Sequence, residues 1–488
     1  MTKPNIKKAC FIGYILMITA GCSLPFIGML LGLGAKSTEN RMMTGLPDLY
    51  TAEEDRIAPN LNYTSELGEY ISDHFGFRQE LVTANAWLHE TVFGCSSNEK
   101  TIAGKNGWYF LSETTDDYTG MSALSERGIY RLKKTLDLIN AFSEDSNITF
   151  VFFVAPNKNS IYPEYMPDNI RRSSTPGNLD RLSKEMRDRH YYMDVKYLLQ
   201  KSAKDRTRFI YLKNDSHWNY IGALVVYNAL QNNLNSRISR YDYLPIDEAS
   251  LSITQTDTSG DLTAMLYPSL VKTDVQYDLG IPKHFSSARP LTNLMDSEIN
   301  TTCQGRYYNI ICYRDSFFNA LIPINSNAFA KARYTRTSTA SPYDLNAAKT
   351  GDYNIALIEV AERNLPDVLC SAPIMDAPRV KSPSVTRRRY AGQSCTFVDD
   401  GESFIIDGEI GDWAEMTTES NIYIELRGSS DKSYYYEAFP IRSGDSYADN
   451  GFSAHISKYN LKNDEYRVYL HVGDQKLSRY TELTLNAS

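Results

Sequence analysis

The sequence predicts an α/β protein built around a three-layer central domain. An apolar N-terminal helix precedes that domain and an all-β sandwich follows it. Three observations carry this reading. Short apolar runs alternate with amphipathic stretches between residues 101 and 390, the pattern of strands and covering helices around a mostly parallel sheet. A charge-free run from Cys10 to about Ala35 is long enough to cross a bilayer. After Arg389 only short strand patterns separated by Gly, Asp, Asn and Ser turns remain.

The elements follow in order. Lys3, Lys7 and Lys8 precede the apolar run. The lysines favour a cytoplasmic tail over 1–9, a transmembrane anchor over 10–35 and export of everything beyond. A rival reading is cleavage of a signal peptide at Thr19-Ala20-Gly21-Cys22. The apolar stretch continues well past Cys22, whereas a mature lipoprotein turns polar after its cysteine, so the uncleaved anchor is favoured. Residues 36–100 read as a polar lead-in, with Leu67, Tyr70, Ile71, Phe75, Phe77, Leu81 and Trp87 at roughly helical spacing. The central domain is expected over 101–390. Ala103–Leu111 reads as a turn feeding a strand, 125–145 as a helix and Ile148–Val154 as a strand buried on both faces. Residues 176–190 suggest a charged helix, Tyr191–Leu199 a short strand region, Arg208–Leu212 another strand and Tyr220–Leu234 a helix. Buried strands are expected at Tyr307–Tyr313 and Tyr353–Val360, with a long irregular insertion over 236–300. The β-sandwich module is assigned to 391–488, with strands near 396–399, 403–410, 421–427, 433–442, 451–458, 465–472 and 479–485.

Composition narrows the function classes. The chain has 488 residues, a net charge of −8 and 42% hydrophobic residues, which suits two or three folded domains. No Lys/Arg-rich run is long enough to follow a phosphate backbone, so nucleic acid is not an expected partner. Seven cysteines are present. Two lie in the apolar run, and the odd remainder has no CxxC spacing, so zinc-finger and redox motifs are ruled out while disulfides or buried thiols both stay open. The histidines at 74, 89, 190, 217, 284, 455 and 471 form no HxxH or HxxxH pair. No metal or other cofactor is therefore expected. The 35 tyrosines suit sugar surfaces and β-rich folds equally.

Two polar constellations sit where strands of an open α/β sheet end, the usual place for function. One is Asp215-Ser216-His217-Trp218-Asn219; the other is Arg314-Asp315-Ser316-Phe317-Phe318. A serine nucleophile needs a base to take its proton and an acid to hold that base. An Asp two residues before a His can supply both from one loop. Ser316 on a strand-to-helix turn would offer its hydroxyl, and its N–H would face a developing oxyanion. The competing readings are that Asp315-Ser316 and Asp215 merely cap helices.

These two runs, in this order, resemble the AlgX/AlgJ group and its DHHW relatives, SGNH-like proteins of exopolysaccharide O-acetylation. Gly104–Phe110, Val154-Ala155-Pro156-Asn157-Lys158, Glu359–Leu365 and Tyr70–Arg78 agree with the group as well, so the resemblance covers roughly 37–370. It implies an SGNH hydrolase-like fold for 101–390 and a catalytic triad of Ser316, His217 and Asp215. It implies a polysaccharide acceptor and an acetyl donor relayed by a multispanning membrane acyltransferase. Arg314, Asn157 and Trp218 are candidate substrate or oxyanion contacts. Arg314 stands where many SGNH enzymes have Gly. An acetyl-esterase with the same triad, or a noncatalytic glycan-binding envelope protein, are the alternatives. The C-terminal module reads as an Ig-like spacer, or as a sugar binder through Trp413, Tyr434, Tyr435 and Tyr436. Arg387–Arg389 reads as a solvated linker.

Overall fold

The computed structural model describes residues 4–487, apart from 34–43, 54–55, 205–206, 290, 292–293, 338–341, 390–394, 412–415, 444–447, 474 and 478–483. Trp413 therefore lies outside the described residues. The chain opens with helix α1 (Pro4–Leu30), of which Cys10–Leu30, 21 residues, is long and apolar enough to cross a membrane. The helix ends five residues earlier than the expected anchor.

The lead-in stretch forms two helices, α2 (Tyr63–His74) and α3 (Arg78–Leu88). Phe77, at φ 59°, breaks what the spacing alone would read as one helix. A hairpin of β1 (Thr101–Ala103) and β2 (Tyr109–Leu111) follows.

The central sheet takes its strands from apolar runs. β3 (Thr149–Ala155), β9 (Asn309–Arg314) and β11 (Ile355–Ala361) lie at its centre. The remaining strands are β4 (Tyr192–Met193), β7 (Ser286–Ser287), β8 (Glu298–Thr302) and β10 (Lys331–Arg336). Their order is β4-β3-β11-β9-β10-β8-β7, parallel from β4 to β10 and antiparallel at the β8–β7 edge. Alternation along each strand feeds two cores. Val151, Phe153, Ile310, Cys312, Ile355 and Leu357 enter one, and Phe150, Phe152, Ile311, Tyr313, Ala356 and Ile358 the other. Helices α6 (Val195–Ser202) and α7 (Tyr220–Arg237) close the first face, α4 (Glu126–Asp145) and α5 (Asn178–Met186) the second. Burial on both faces explains why these strands read as unbroken apolar runs.

Three expected elements differ. Of Tyr191–Leu199 only Tyr192–Met193 is strand; the Asp194 side chain accepts the Tyr197 N–H and starts α6, with Val195 and Leu199 one turn apart on its buried face. Arg208–Leu212 joins no sheet, because β3 already has β4 and β11 as neighbours; only an isolated Tyr211–Trp218 bridge remains. The segment read as irregular, 236–300, holds among its described residues the hairpin β5 (Thr254–Ser259) and β6 (Thr273–Asp278) around helix α8 (Asp261–Leu266), then β7 and β8.

At the C-terminus a four-stranded sheet (395–399, 403–409, 448–457, 439–443) packs on a larger one. The larger sheet already includes Arg379–Val380 and Arg387–Arg389, so the arginine run is strand backbone instead of linker. The expected strand 433–442 divides into 433–437 and 439–443. Tyr434 and Tyr436 are buried in this core and cannot stack on a sugar; Tyr435 packs beside His471. The module seats on α4: Arg127 donates to the carbonyls of Thr417 and Ser420, Tyr130 to Asn421, and Lys134 pairs with Glu437 at 2.8 Å. Phe439 completes the α4-side core.

Gly260 precedes α8 where it crosses the loop at 214; a Cβ there would stand 1.9 Å from the Asn214 carbonyl oxygen. Gly260→Ala must displace backbone. It is expected to cost about 1–3 kcal/mol, read as a lowered melting temperature.

Candidate active site

Ser316 stands at the carboxyl end of β9, at the N-cap of a short 3-10 turn, Phe317–Ala320. Its neighbour Asp315 is fastened to the adjacent strand. The Asp315 N–H donates to Glu359 Oε2 (2.9 Å), while its carboxylate accepts the N–H groups of Phe317 and Ala361 at 2.8 Å each. The capping reading is thus correct for Asp315. It leaves the Ser316 hydroxyl available, and among the described residues the Ser316 N–H donates to no acceptor. Glu359 is buried, 1% exposed; burial first, and then the Asp315 carboxylate, push its pKa well above the usual range.

The second loop meets the first. His217 Nε2 lies 2.8 Å from Ser316 Oγ, and His217 Nδ1 lies 2.7 Å from Asp215 Oδ1. Asp215 Oδ1 also accepts the His217 N–H, and Asp215 Oδ2 accepts the Asp261 N–H at the start of α8. Burial would raise the Asp215 pKa, but His217 and these donors overcome it and hold it at about 2. Burial likewise opposes charge on His217; the Asp215 carboxylate, with Asp261 and Asp315 behind it, wins and moves the imidazole upward. Phe317 packs its ring against His217, centroids 4.9 Å apart, and Trp218 packs against Phe317 at 5.0 Å.

This loop has no sheet ladder to fix it. Lys158, buried directly after β3, donates to the carbonyls of Leu212 (3.0 Å), Lys213 (3.0 Å) and Asp215 (2.5 Å). Asp274 accepts the N–H groups of Lys213 and Asn214. Asn219 caps α7 through the N–H groups of Ile221 and Gly222 and reaches back to the Phe209 carbonyl. Burial pulls the Lys158 pKa down to about 7, although Asp215, Asp261 and Asp274 counter it.

Of the other predicted contacts, none touches the nucleophile. Arg314 is fully buried, and its guanidinium donates to the Leu294 and Asp296 carbonyls and to Asn319 Oδ1. It braces the serine turn from behind. Trp218 is 2% exposed and serves as a wedge under Phe317. The Asn157 N–H donates to Glu362 and its side chain to Asp117. There it borders a polar cavity of about 410 Å³ lined by Asp117, Arg172, Asp180, Lys196 and Glu362 among others. Burial, then Glu362, raise the Asp117 pKa to about 7.

Asp261 was not singled out in the sequence; Lys158 and Glu359 appeared only within the motifs of the resemblance, and Asp315 only as a cap. Asp261 lies in the segment read as irregular. It accepts from the Ser216 N–H and Oγ and stands 3.7 Å from His217 Nδ1. Asp215, His217 and Asp261 present ligand atoms within 4.8 Å of one another, spacing that could suit a metal ion. Their lone pairs are already engaged: Asp215 by three N–H groups, Asp261 by Ser216. The arrangement therefore fits a hydrogen-bonded relay better than a coordination site. Cys10, Cys22, Cys95, Cys303, Cys312 and Cys370 carry free thiols.

Comparisons with known proteins bear on the fold and the resemblance. Residues 101–286 match the family model described as "SGNH hydrolase-like domain, acetyltransferase AlgX". A curated relative from Pseudomonas putida, "Probable alginate O-acetylase AlgJ", is 23% identical over 251 residues, covering 50% of this chain and 60% of its own length. The chain thus spans about three fifths of that relative. Solved structures with a similar fold include Bacillus cereus PatB1 (TM-score 0.43, 17% identity, 53% of this chain and 95% of that one). Pseudomonas aeruginosa AlgX is another (TM-score 0.36, 11% identity, 73% and 90%). The resemblance to the AlgX/AlgJ group and the SGNH-like fold class both hold.

With His217 raised above its ordinary 6.5, the fraction of neutral imidazole should grow as pH rises through a value higher than that. Asp261→Asn removes one of the carboxylates that holds the imidazole proton. Its acid limb in a pH–rate profile should therefore move to lower pH than the wild type's; an unmoved limb would count against Asp261 acting on His217.

Proposed function

We propose that this AlgX/AlgJ-like, SGNH hydrolase-fold chain O-acetylates an exported polysaccharide through a covalent acetyl-serine. One observation carries the reading: the unbroken chain Asp215–His217–Ser316, with contacts of 2.7 and 2.8 Å. It has the spacing a nucleophile, its base and the base's orienter require.

In the first half-reaction Ser316 Oγ attacks the carbonyl carbon of the donor's acetyl group, and its proton passes to His217 Nε2. Asp215 holds the Nδ1–H and stabilises the imidazolium. The oxyanion faces the Ser316 N–H. Collapse expels the donor's leaving group, which takes the proton back from His217. In the second half-reaction an acceptor hydroxyl gives its proton to His217 and attacks the acetyl-serine. The O-acetyl sugar leaves and Ser316 regains its proton. Neither half needs a metal or a redox cofactor. The donor would reach Ser316 through a multispanning membrane acyltransferase, with α1 as anchor, its N-terminus cytoplasmic and the remaining domains outside.

A second reading, acetyl-ester hydrolysis, keeps one specific support: the His217 side chain is 25% exposed, so water can reach the base. Binding without catalysis is disfavoured, because a degenerate site has no reason to keep three groups in relay.

Intact mass spectrometry after incubation with p-nitrophenyl acetate tests the covalent step. An acetyl adduct is expected on the wild type and not on Ser316→Ala, and His217→Ala should slow acylation by about 10²–10⁴-fold. A wild type that neither forms the adduct nor turns over would overturn the proposal. Partition of the acyl-enzyme decides between transferase and esterase: oligosaccharide acceptors should outcompete water, and equal release with and without them would favour hydrolysis.

A further inference from the structure

Helix α3 has two unlike faces. One packs on the central domain: Ala86 joins Leu262, Leu266, Tyr267 and Tyr109 in a small core. Thr83 accepts the Ser269 N–H, and Glu90, one turn beyond, accepts from the Tyr109 hydroxyl. The opposite face carries Leu81, Ala84 and Leu88 at helical spacing, with Phe77 just before the helix and Val92 in the π-turn that continues it, all exposed. Leu88 is 45% and Val92 61% exposed, and Trp87 on the flank 62%. A soluble surface scatters such residues singly, whereas a continuous stripe marks a contact.

The stripe begins against the N-terminal helix. The Gly76 N–H donates to the Pro25 carbonyl of α1 at 2.8 Å. Gly76 and Gly28 approach so closely that a Cβ on Gly76 would lie 2.4 Å from Gly28 Cα, and the Phe77 ring lies against Gly28. Pro25 and Gly28 belong to the last turns of α1, which ends at Leu30. The start of α3 is thereby set level with the end of the apolar helix.

We infer that α2 and α3 form an interfacial foot. The Phe77–Val92 stripe lies in the boundary between head groups and acyl chains of the leaflet where α1 emerges, with Trp87 at head-group depth. The occupant of the stripe is lipid. This rests on the reading of α1 as a membrane anchor and goes beyond it: an anchor on a loose tether would leave the domain free to tumble, whereas the foot fixes its orientation. The face opposite the stripe supports α8, whose first residue supplies the N–H that holds Asp215 Oδ2. The triad's acid is thus one helix away from the bilayer.

The test uses the full chain in phosphatidylcholine vesicles, with the exposed native cysteines replaced. Single nitroxide labels are placed at Leu88 (L88C), Val92 (V92C), Ile15 in α1 (I15C) and Tyr459 on the sandwich (Y459C). Oxygen partitions into lipid and a Ni(II) chelate into water. Collision with oxygen should exceed that with Ni(II) at 88, 92 and 15, and fall below it at 459. If 88 and 92 behave like 459 while 15 stays oxygen-rich, the anchor stands and the foot is refuted. If 15 is also open to Ni(II), the anchor reading itself fails. Shielding of 88 and 92 from both reagents would mean that protein covers the stripe, which overturns the assignment to lipid.

Discussion

A loop without a sheet ladder carries two members of the Asp215–His217–Ser316 hydrogen-bond chain, and the buried Lys158 side chain is what holds it in place. Sheet hydrogen bonds would have fixed Asp215 and His217 automatically; residues 208–212 join no sheet and keep only the local Tyr211–Trp218 bridge with its flanking backbone bonds. Three carbonyls converging on one Nζ replace the ladder. An ammonium has three donors and all three are used, so the loop's shape is set by the geometry of a single charge. Unsatisfied buried carbonyls each cost about 1–3 kcal/mol, which locks the loop to the end of β3. Asp274, Asn219 and the contact at Gly260 then remove its remaining freedom.

The serine side is built by a different device. Asp315 and Glu359 sit together in a buried space, where burial and the neighbouring Asp315 push the Glu359 pKa upward. Asp315 spends its carboxylate on the N–H groups of Phe317 and Ala361, tying the serine turn to β11. Arg314 stands where a small residue would give backbone room. It carries its charge away from the nucleophile, into the 294–296 loop and Asn319. The departure from glycine therefore sends the Arg314 guanidinium to Asn319 and the 294–296 carbonyls.

What was legible in the sequence follows the kind of force involved. Strands β3, β9 and β11 showed as continuous apolar runs because both faces are buried, and α4 and α7 were plain from their spacing. The triad could be named because a nucleophile, a base and an acid are rare residue types in short, ordered groups. The positioning shell could not. Lys158 stood only as the end of a motif after a strand and Asp261 in a segment of weak periodicity, and their roles depend on which distant backbone atoms they meet. Arg208–Leu212 misled for the complementary reason. Its apolar residues do pack into the core, but strand character also needs a free neighbouring edge, and sheet order is a global property. Arg314, Asn157 and Trp218 were singled out by adjacency in sequence, and adjacency along a strand end alternates between facing the cleft and facing the core.

The seat of the β-sandwich on α4 bears on how the chain could diversify. Phe439 belongs to the core that α4 shares with the central sheet, and Arg127, Tyr130 and Lys134 hold the sandwich through backbone and side-chain contacts. The C-terminal unit is thus not an interchangeable appendage. Recombination that brings in a different module must bring a matching helix surface with it, or leave an apolar hole behind the sheet. Inheritance would then act on helix and sandwich as one block, even though they lie nearly three hundred residues apart in the chain.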